Sequence, residues 1–391
     1  MSKSFTYLDH AAATPIDHNV LRVMKRSLSR SFVNPSALYR PAVEARHSVD
    51  HARQQVATFL STQPEHIVFT SGGTESCNLA IRGVLDRHTS GHIITTGIEH
   101  HAVLEAIRVY EERGFDVTYL PVDELGFIDL RSFTDALRTD TILVSIMYAN
   151  NEIGSILPIA DIGRMILRFR KQHRSVYPYL HTDACQAAEY LDLAVDALHV
   201  DLLSLNGSKI YGPKGVGALY VRPQIYLEPQ LRGGGQEQGL RSGTENVPAI
   251  VALGEATERI DHGSHDQIRK FRDEFVGRIK REIKQVRINT PLERSLPNYA
   301  NVTFFGAPAE EVILYLDAAG IACSSGSACT TESDDVSHVL LALGHHTDDA
   351  RASVRFTLGR GTTLRDIDRV MRVLPGIIDR VRKQQALKAI D

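Results

Sequence analysis

Residues 181–215 read HTDACQAAEYLDLAVDALHVDLLSLNGSKIYGPKG. In this stretch one apolar segment ends at an aspartate, and a lysine follows the next apolar segment. Asp183 closes the segment YLHTD, and Lys209 comes after one more helix-like stretch and the apolar segment VDLLSL. A strand, crossover and strand of this kind place two parallel strands in one sheet. Ligands bind outside the carboxyl ends of such strands. We therefore expect Asp183 and Lys209 to share a ligand site at that edge.

The same alternation of strand-like and helix-like segments extends over residues 36–221. The apolar strand candidates are HIVF (66–69), HIITT (92–96), FDVTYL (115–120), TILVSIM (141–147), YPYLHTD (177–183), VDLLSL (200–205) and GVGALYV (215–221). The helix-like segments between them include 36–60, 74–90, 101–113 and 158–173. This order predicts an α/β fold with a mostly parallel seven-stranded sheet covered by helices.

The organisation changes after three consecutive glycines at 233–235. A charged helical region at 245–287 is predicted to lead away from the sheet, and the strand candidates NYANVTFF and ARASVRFTL follow it. A polar helix over 364–388 closes the chain. We predict a large domain at 15–258, and a smaller α+β domain formed by 1–14 together with 259–391.

Composition excludes several classes of function. The chain has 391 residues and a formal net charge of −3, which does not suggest direct nucleic-acid binding. No apolar run is long enough to span a membrane, and the N-terminus lacks a signal-peptide pattern, so we expect a cytoplasmic protein without membrane contact. The four cysteines form no CxxC pair and there is no HExxH, so no metal site is expected.

Two motifs are weak on their own. In SGGTESCNLAIRGVL (71–85), Gly73 and Thr74 open a helix whose free N–H groups favour an anion such as phosphate, although a plain capped turn is more common. Lys209 lacks the GxxxxGK[ST] spacing of a nucleotide loop, and alone it is more typical of a surface charge. Its pairing with Asp183 changes the balance, because pyridoxal phosphate takes a lysine on its aldehyde and an aspartate on its ring nitrogen.

Further motifs run through nearly the whole chain. They are YLDHAAATP (7–15), TSGGTESCNLAI (70–81), EHHAVLE (99–105), NNEIG (150–154), HTDACQ (181–186), GSKIYGPKG (207–215), RSGTEN (241–246) and SSGSACT (324–330). In this order they resemble the cysteine desulfurases of the NifS/IscS type, in the class V aminotransferase group of fold-type I pyridoxal-phosphate enzymes. The resemblance implies that fold and pyridoxal 5'-phosphate as cofactor.

The resemblance also implies residue roles. Lys209 resembles the lysine that holds the cofactor, Asp183 the partner of its ring nitrogen, and His100 the histidine that stacks on the ring and handles protons. The other implied cofactor contacts are Gly73, Thr74, Asn151, Gln186, Asn206, Gly207, Ser208 and, reaching in from the second subunit of a homodimer, Thr244. For the substrate carboxylate, the resemblance implies Arg355 with Asn34 and Asn151, and Arg360 is the fallback.

This sequence departs from the family pattern before the lysine. Many relatives carry Ser-Gly-His where this chain has Asn206, Gly207 and Ser208. Asn and Ser still donate hydrogen bonds, so we expect cofactor binding to be retained with a slightly altered affinity. Cys77 and Cys185 also differ from common family residues, and both are expected to be packing residues.

Cys329 lies in the Gly/Ser-rich stretch CSSGSACTTESDDVSHVLLALG (323–344), a setting typical of reactive thiols. The resemblance implies that Cys329 receives sulfur from L-cysteine as a persulfide, releasing L-alanine. Cys323, in an apolar run, is expected to be structural. The implied partners are an iron–sulfur scaffold protein or a sulfur carrier for tRNA thiolation, and a transient iron–sulfur cluster contact at Cys329 stays open.

Three alternatives compete with this interpretation. A selenocysteine lyase or an aminotransferase would share everything but the sulfur step, and the Cys329 stretch argues against an aminotransferase. A non-catalytic scaffold is disfavoured because Lys209, Asp183, His100 and Cys329 are all present. A dinucleotide-binding oxidoreductase would need a GxGxxG after its first strand, and the chain has none.

Overall fold

The computed structural model describes residues 5–261, 263, 265–326 and 336–388. Its strands are β1 (Thr6–Tyr7), β2 (Ile67–Thr70), β3 (His92–Thr96), β4 (Asp116–Leu120), β5 (Thr141–Ser145), β6 (Tyr179–Asp183), β7 (Leu202–Asn206), β8 (Gly217–Val221), β9 (Val286–Ile288), β10 (Tyr299–Phe304), β11 (Ile321–Ala322) and β12 (Ser353–Thr357). Its α-helices are α1 (His18–Arg30), α2 (Arg40–Phe59), α3 (Gly73–Leu85), α4 (His101–Glu112), α5 (Leu130–Ala136), α6 (Ile159–His173), α7 (Val195–Leu198), α8 (Val247–Glu258), α9 (His265–Glu282), α10 (Ala309–Ala318), α11 (His338–Ala342), α12 (Thr347–Arg351) and α13 (Leu364–Lys388).

The central sheet has the strand order β2-β8-β7-β6-β5-β3-β4. The pairs from β7 across to β4 are parallel, and only β8 runs against its neighbours β2 and β7. Most of these strands are buried along their whole length, as is typical of a sheet covered by helices on both faces. The prediction of a mostly parallel seven-stranded α/β sheet is confirmed, with strand ends shifted by a few residues.

The prediction of one helical region at 245–287 that leads away from the sheet was wrong in one respect. It consists of two helices, α8 and α9, separated by a stretch that contains Asp261 and Gly263. The first helix, VPAIVALGEATE, is largely buried and packs against α1 and α2 instead of leading away from the large sheet. Only the second helix is amphipathic and strongly charged. When the two helices are considered as a single region, the many charged residues of α9 hide the apolar composition of α8.

A second, smaller body surrounds the antiparallel sheet β12-β10-β9. Its buried cluster joins side chains of α9, α10 and α13 to the strands, and it includes Leu8 from the start of the chain. Leu8 therefore supports assigning the first residues to the small domain. The boundaries at 14/15 and 258/259 stay a prediction.

The beginning of the chain connects the two bodies. β1 pairs in parallel with β11, and Asp9 bridges to Thr357 at the end of β12. Further on, the N–H of Thr14 donates to the carbonyl of Ser208 at 2.8 Å. Residues 8–14 therefore lie beside the loop after β7. Within the described ranges, no helix is both long enough and apolar enough to cross a membrane.

Candidate active site at the carboxyl edge of the sheet

A cavity of about 720 Å³ opens at the carboxyl ends of β6 and β7, beside the start of α3. The predicted site residues that line it are Gly73, Thr74, His100, Asn151, Asp183, Gln186, Asn206, Ser208, Lys209 and Arg355. The structure therefore brings most of the predicted site together. Their individual roles stay predictions.

Asp183 is the last residue of β6 and pairs in register with Ser204 of β7. Its side chain is 8% exposed, and Oδ1 accepts the backbone N–H of Cys185 at 2.9 Å. Cys77 and Cys185 are buried nearby, and burial followed by the charge of Asp183 raises the pKa of both thiols. Both cysteines are thus neutral packing groups around Asp183, as the sequence predicts.

Lys209 lies in the single helical turn that follows β7. Its Nζ donates to the carbonyls of Ala11 and Ala12, each at 2.7 Å. Gln186 also donates to the Ala11 carbonyl at 3.0 Å, and the Tyr299 hydroxyl donates to Gln186 Oε1 at 2.8 Å. The N-terminal motif therefore holds the lysine in the cavity through its backbone carbonyls.

Gly73 is the first residue of α3, where the backbone and neighbouring side chains approach closely. A Cβ at this position would lie 2.6 Å from Sγ of Cys185 and 3.5 Å from Cβ of Asn206. The absence of a side chain at Gly73 keeps the first N–H groups of α3 accessible at the cavity edge. An anion there would meet the positive end of the helix.

The triplet that departs from the family pattern forms its own turn. Asn206 Oδ1 accepts from the backbone N–H of Ser208 at 3.1 Å and from its hydroxyl at 3.0 Å. Gly207 does not line the cavity, and a Cβ there would lie 3.0 Å from both the carbonyl of Pro213 and Val216. Gly207 therefore packs closely against the segment 213–216, and its predicted cofactor contact stays a prediction.

His100 caps the N-terminus of α4, and its Nδ1 accepts the backbone N–H of Ala102 at 3.1 Å. Burial lowers the pKa of His100; the charge of Asp183 works against this and that of Lys209 adds to it. The imidazole is consequently neutral near pH 7. Since Nδ1 is an acceptor, the ring proton lies on Nε2.

Arg355 enters the cavity from β12 of the smaller body. Its guanidinium donates to the carbonyl of Asn151 at 2.8 Å and to Oδ1 of Asp9 at 2.9 Å, and the side chain is nearly fully buried. Two buried atoms here have no hydrogen-bond partner among the described residues: Nε of Arg355 and Oδ1 of Asn151. Such atoms are uncommon in folded proteins, and both of these belong to residues that line the cavity.

The fallback candidate Arg360 is engaged elsewhere. Its guanidinium makes two bonds of 2.6 and 2.7 Å to the buried carboxylate of Glu189 and lies over the ring of Tyr211. It does not line the cavity. The structure therefore favours Arg355 over Arg360 as the carboxylate-binding residue.

Among the predicted site residues that the structure describes, Asn34 and Thr244 also do not line this cavity. Asn34 is exposed, and its Oδ1 accepts the N–H of Ser36 in a local turn. Thr244 is exposed at a separate cavity of about 270 Å³. Cys329 lies outside the described residues. Cys323 is partly buried against the core of the smaller body, and burial raises the pKa of its thiol to about 12, as expected of a structural cysteine.

Sequence reasoning missed two functional neighbours. Asp9 holds Arg355, and Tyr299 holds Gln186. Asp9 belongs to the motif YLDHAAATP, so the motif itself was a usable signal, whereas Tyr299 lies in a strand with no such mark. In the described ranges, no group of three or more His, Cys, Asp or Glu residues could hold a metal ion.

The fold and the cavity together define a pyridoxal-phosphate enzyme of fold type I, in which an aspartate ends one parallel strand and a lysine follows the next. Residues 6–370 match the family model described as aminotransferase class-V. The chain is 42% identical, over 97% of its length and 96% of the relative, to a "Cysteine desulfurase IscS" of Dictyoglomus turgidum.

Solved structures give the same result. A "NIFS-LIKE PROTEIN" is 34% identical with a TM-score of 0.89, covering 96% of this chain and all of that one. "SspA in complex with cysteine" is 40% identical with a TM-score of 0.79, covering 90% of this chain and 98% of that one. The chain belongs to the cysteine desulfurases of the class-V aminotransferase family, as the motifs predicted.

The residues present fit pyridoxal phosphate, the cofactor of this family. The start of α3 at Gly73 suits the phosphate, and the buried acid Asp183 suits a protonated ring nitrogen. Lys209 supplies the amine, and the unpaired Oδ1 of Asn151 offers a further polar contact.

Proposed function

We propose that this protein converts L-cysteine to L-alanine and places the sulfur on Cys329 as a persulfide. The C–S bond of the substrate breaks, an S–S bond to Cys329 forms, and the proton of the Cys329 thiol is balanced by one gained by alanine. The observation that carries this proposal is the buried Arg355, which shares a cavity with Lys209 and has an unpaired Nε. Relatives named as cysteine desulfurases support it.

Substrate binding would use the small-domain side of the cavity. Arg355 offers a guanidinium to the α-carboxylate of cysteine, and such charge-assisted bonds are strong because both partners are charged. The backbone carbonyl of Asn151 accepts from the same guanidinium and helps to hold it in place. The α-carboxylate is thereby fixed at one end of the substrate.

The chemistry would proceed at the carboxyl ends of β6 and β7. Bound pyridoxal phosphate supplies an electron sink for the substrate Cα. The carboxyl group of Asp183 would pair with the protonated ring nitrogen, and Lys209 would carry the amine that holds the cofactor and moves the α-proton. The neutral His100 presents Nε2–H as a hydrogen-bond donor or proton source.

The persulfide sulfur would pass to an acceptor, and we propose an iron–sulfur scaffold protein or a sulfur carrier for tRNA thiolation. Selenocysteine lyase activity is the second candidate function, because a lyase of this family would use the same cofactor and substrate contacts that the cavity offers. Comparing turnover of cysteine and selenocysteine separates the two. The cytoplasmic location stays a prediction.

The decisive experiment is the Cys329→Ser variant. It should bind cysteine, change the absorption of the cofactor on binding, and form neither persulfide nor alanine, because the acceptor thiol is gone while Arg355 and Lys209 remain. Absorption spectra and alanine analysis measure the two halves separately. Alanine formation at the wild-type rate would remove Cys329 from this role.

We also propose that the enzyme acts as a homodimer, with Thr244 of one subunit contacting the cofactor phosphate of the other. Thr244 is exposed and does not line the active-site cavity of its own subunit. Apolar side chains near Asn34 are also exposed, Phe32 to 85% and Leu38 to 96%, and a partner surface would cover them.

Mixing two inactive variants, Lys209→Ala and Thr244→Ala, tests the shared site. In a mixed dimer, one of the two sites carries neither change, so exchange of subunits should restore activity to about a quarter of wild type. Mass spectrometry of the intact dimer verifies the exchange. Full exchange without recovery, or a fully active monomer by light scattering, would contradict the shared site.

A further inference from the structure

Two short stems flank residues 327–335, which carry Cys329. The first stem, residues 324–326, pairs with β12: the N–H of Arg355 donates to the Ser324 carbonyl at 2.6 Å, and the N–H of Ser324 donates back at 3.1 Å. The second stem, residues 336–338, leads into α11, where the Ser337 hydroxyl accepts the N–H of Leu340 at 3.1 Å. Each stem is therefore fixed to a different element.

Glu152 is the buried carboxylate that both stems meet. Its side chain is 1% exposed, and its Oε2 accepts the Ser337 hydroxyl at 2.5 Å. Gly326 of the first stem has a φ of +92°, and a Cβ there would lie 2.7 Å from the same Oε2. Oε2 of Glu152 thus bonds to Ser337, the second described residue after the segment, and leaves no room for a side chain on Gly326, the last described residue before it.

Glu152 is itself held in place by its backbone. Its N–H donates to Asn150 Oδ1 at 2.8 Å, and its carbonyl accepts from Asn301 Nδ2 at 3.2 Å. The preceding residue, Asn151, holds Arg355 through its own carbonyl. The carboxylate that meets the stems is therefore tied to the same turn as the substrate-binding arginine.

We propose that Glu152 is a positioning residue that holds both ends of the Cys329 segment at one point beside Arg355. This inference rests on the proposed sulfur transfer to Cys329. Gly326 is the last described residue before the segment, and it precedes Cys329 by three residues in the sequence. Glu152 therefore bonds one described end of the segment through Ser337 and packs closely against the other at Gly326.

The first test compares Glu152→Ala with Glu152→Gln and Ser337→Ala. Glu152→Ala should lower kcat for alanine formation about tenfold or more with KM within about threefold, because the substrate contacts remain and only the thiol is misplaced. Ser337→Ala should move kcat in the same direction. Glu152→Gln keeps an acceptor oxygen and should recover to within about threefold of wild type.

A second test needs no activity of the loaded enzyme. In hydrogen exchange, Glu152→Ala should speed exchange in peptides covering 321–326 and 336–343, while β10 keeps its protection. Uniformly faster exchange would indicate a general loss of stability. That result, or a wild-type kcat in Glu152→Ala, would overturn the proposal.

The glycines offer a matched pair of variants. Gly326→Ala adds a Cβ against Glu152, whereas Gly344→Ala, at a φ of +86°, meets nothing within 4 Å. Both variants carry similar backbone strain, so only Gly326→Ala should lower kcat, by roughly fivefold or more. Equal effects of the two variants would contradict a role for the Glu152 contact.

These outcomes are separate from those that test the proposed function. A wild-type protein that forms no persulfide on Cys329 contradicts the sulfur transfer itself. A wild-type protein that forms it, together with a Glu152→Ala variant that does so equally fast, contradicts only the positioning role.

Discussion

The two sides of the cavity are built differently. The sheet side, with Asp183 and Lys209, comes from adjacent strands joined by one crossover. The opposite side joins Asp9 and Arg355, which are far apart in the sequence, through a buried ion pair at 2.9 Å. Groups at neighbouring strand ends can be located from sequence order, whereas a long-range ion pair depends on how two bodies of the fold meet.

Removing the sheet-side lysine should give the largest effect. Lys209→Ala should lose the absorption band of the lysine–cofactor linkage. Its activity should fall by on the order of a thousandfold or more, because the amine both holds the cofactor and moves the proton. Absorption and reduction with borohydride measure the linkage. Lys214, which also lines the cavity, is the control substitution. A retained reducible linkage in Lys209→Ala would identify another lysine as the holder.

A change on the opposite side should have a smaller and different effect. Arg355→Lys keeps the charge and loses the fork that reaches both Asp9 and the substrate, so KM for cysteine should rise roughly 10- to 100-fold. The cofactor band should persist. Steady-state kinetics measure the change, with Arg360→Lys as the control because Arg360 pairs with Glu189. An unchanged KM would place the substrate carboxylate elsewhere.

The smallest effect concerns a buried acid behind the sheet side. Burial raises the pKa of Glu99 to about 8, although its Oε1 accepts from Thr96 and from the N–H of Met147. Between the ordinary glutamate value and about pH 8 the folded state holds a proton that the unfolded state has lost. Unfolding then releases a proton, so stability falls as pH rises through this range, by up to roughly a few kcal/mol.

Glu99→Gln should flatten this dependence and leave stability near pH 5 almost unchanged. Urea unfolding of the holoenzyme between pH 5 and 8 measures it. Glu189, whose pKa burial raises to about 7, contributes a slope of the same sign below that value and serves as the reference. Equal slopes in Glu99→Gln and wild type would show that Glu99 is ionised in the folded protein.

The difference between the two sides of the cavity also explains which features the sequence could predict. The large sheet, and the meeting of Asp183 with Lys209, follow from alternating segments and parallel connections. The split between α8 and α9 was missed because the charge of α9 dominated the combined region. Tyr299 and Asp9 were missed as contacts because hydrogen bonds between distant segments leave no local periodicity.

The N-terminal segment has a consequence for synthesis of the chain. Ala11 and Ala12 supply the carbonyls that hold Lys209. Their segment is anchored by the preceding strand β1, which pairs with β11, and by Thr357, whose hydroxyl accepts the N–H of Ala11 at 2.9 Å. The ribosome makes the N-terminal segment long before it makes β11 and Thr357. Closing so large a loop is slow, because its entropy is lost before any contact rewards it. The lysine therefore gains its final surroundings only when the second half of the chain has emerged, and a nascent chain carries no finished active site.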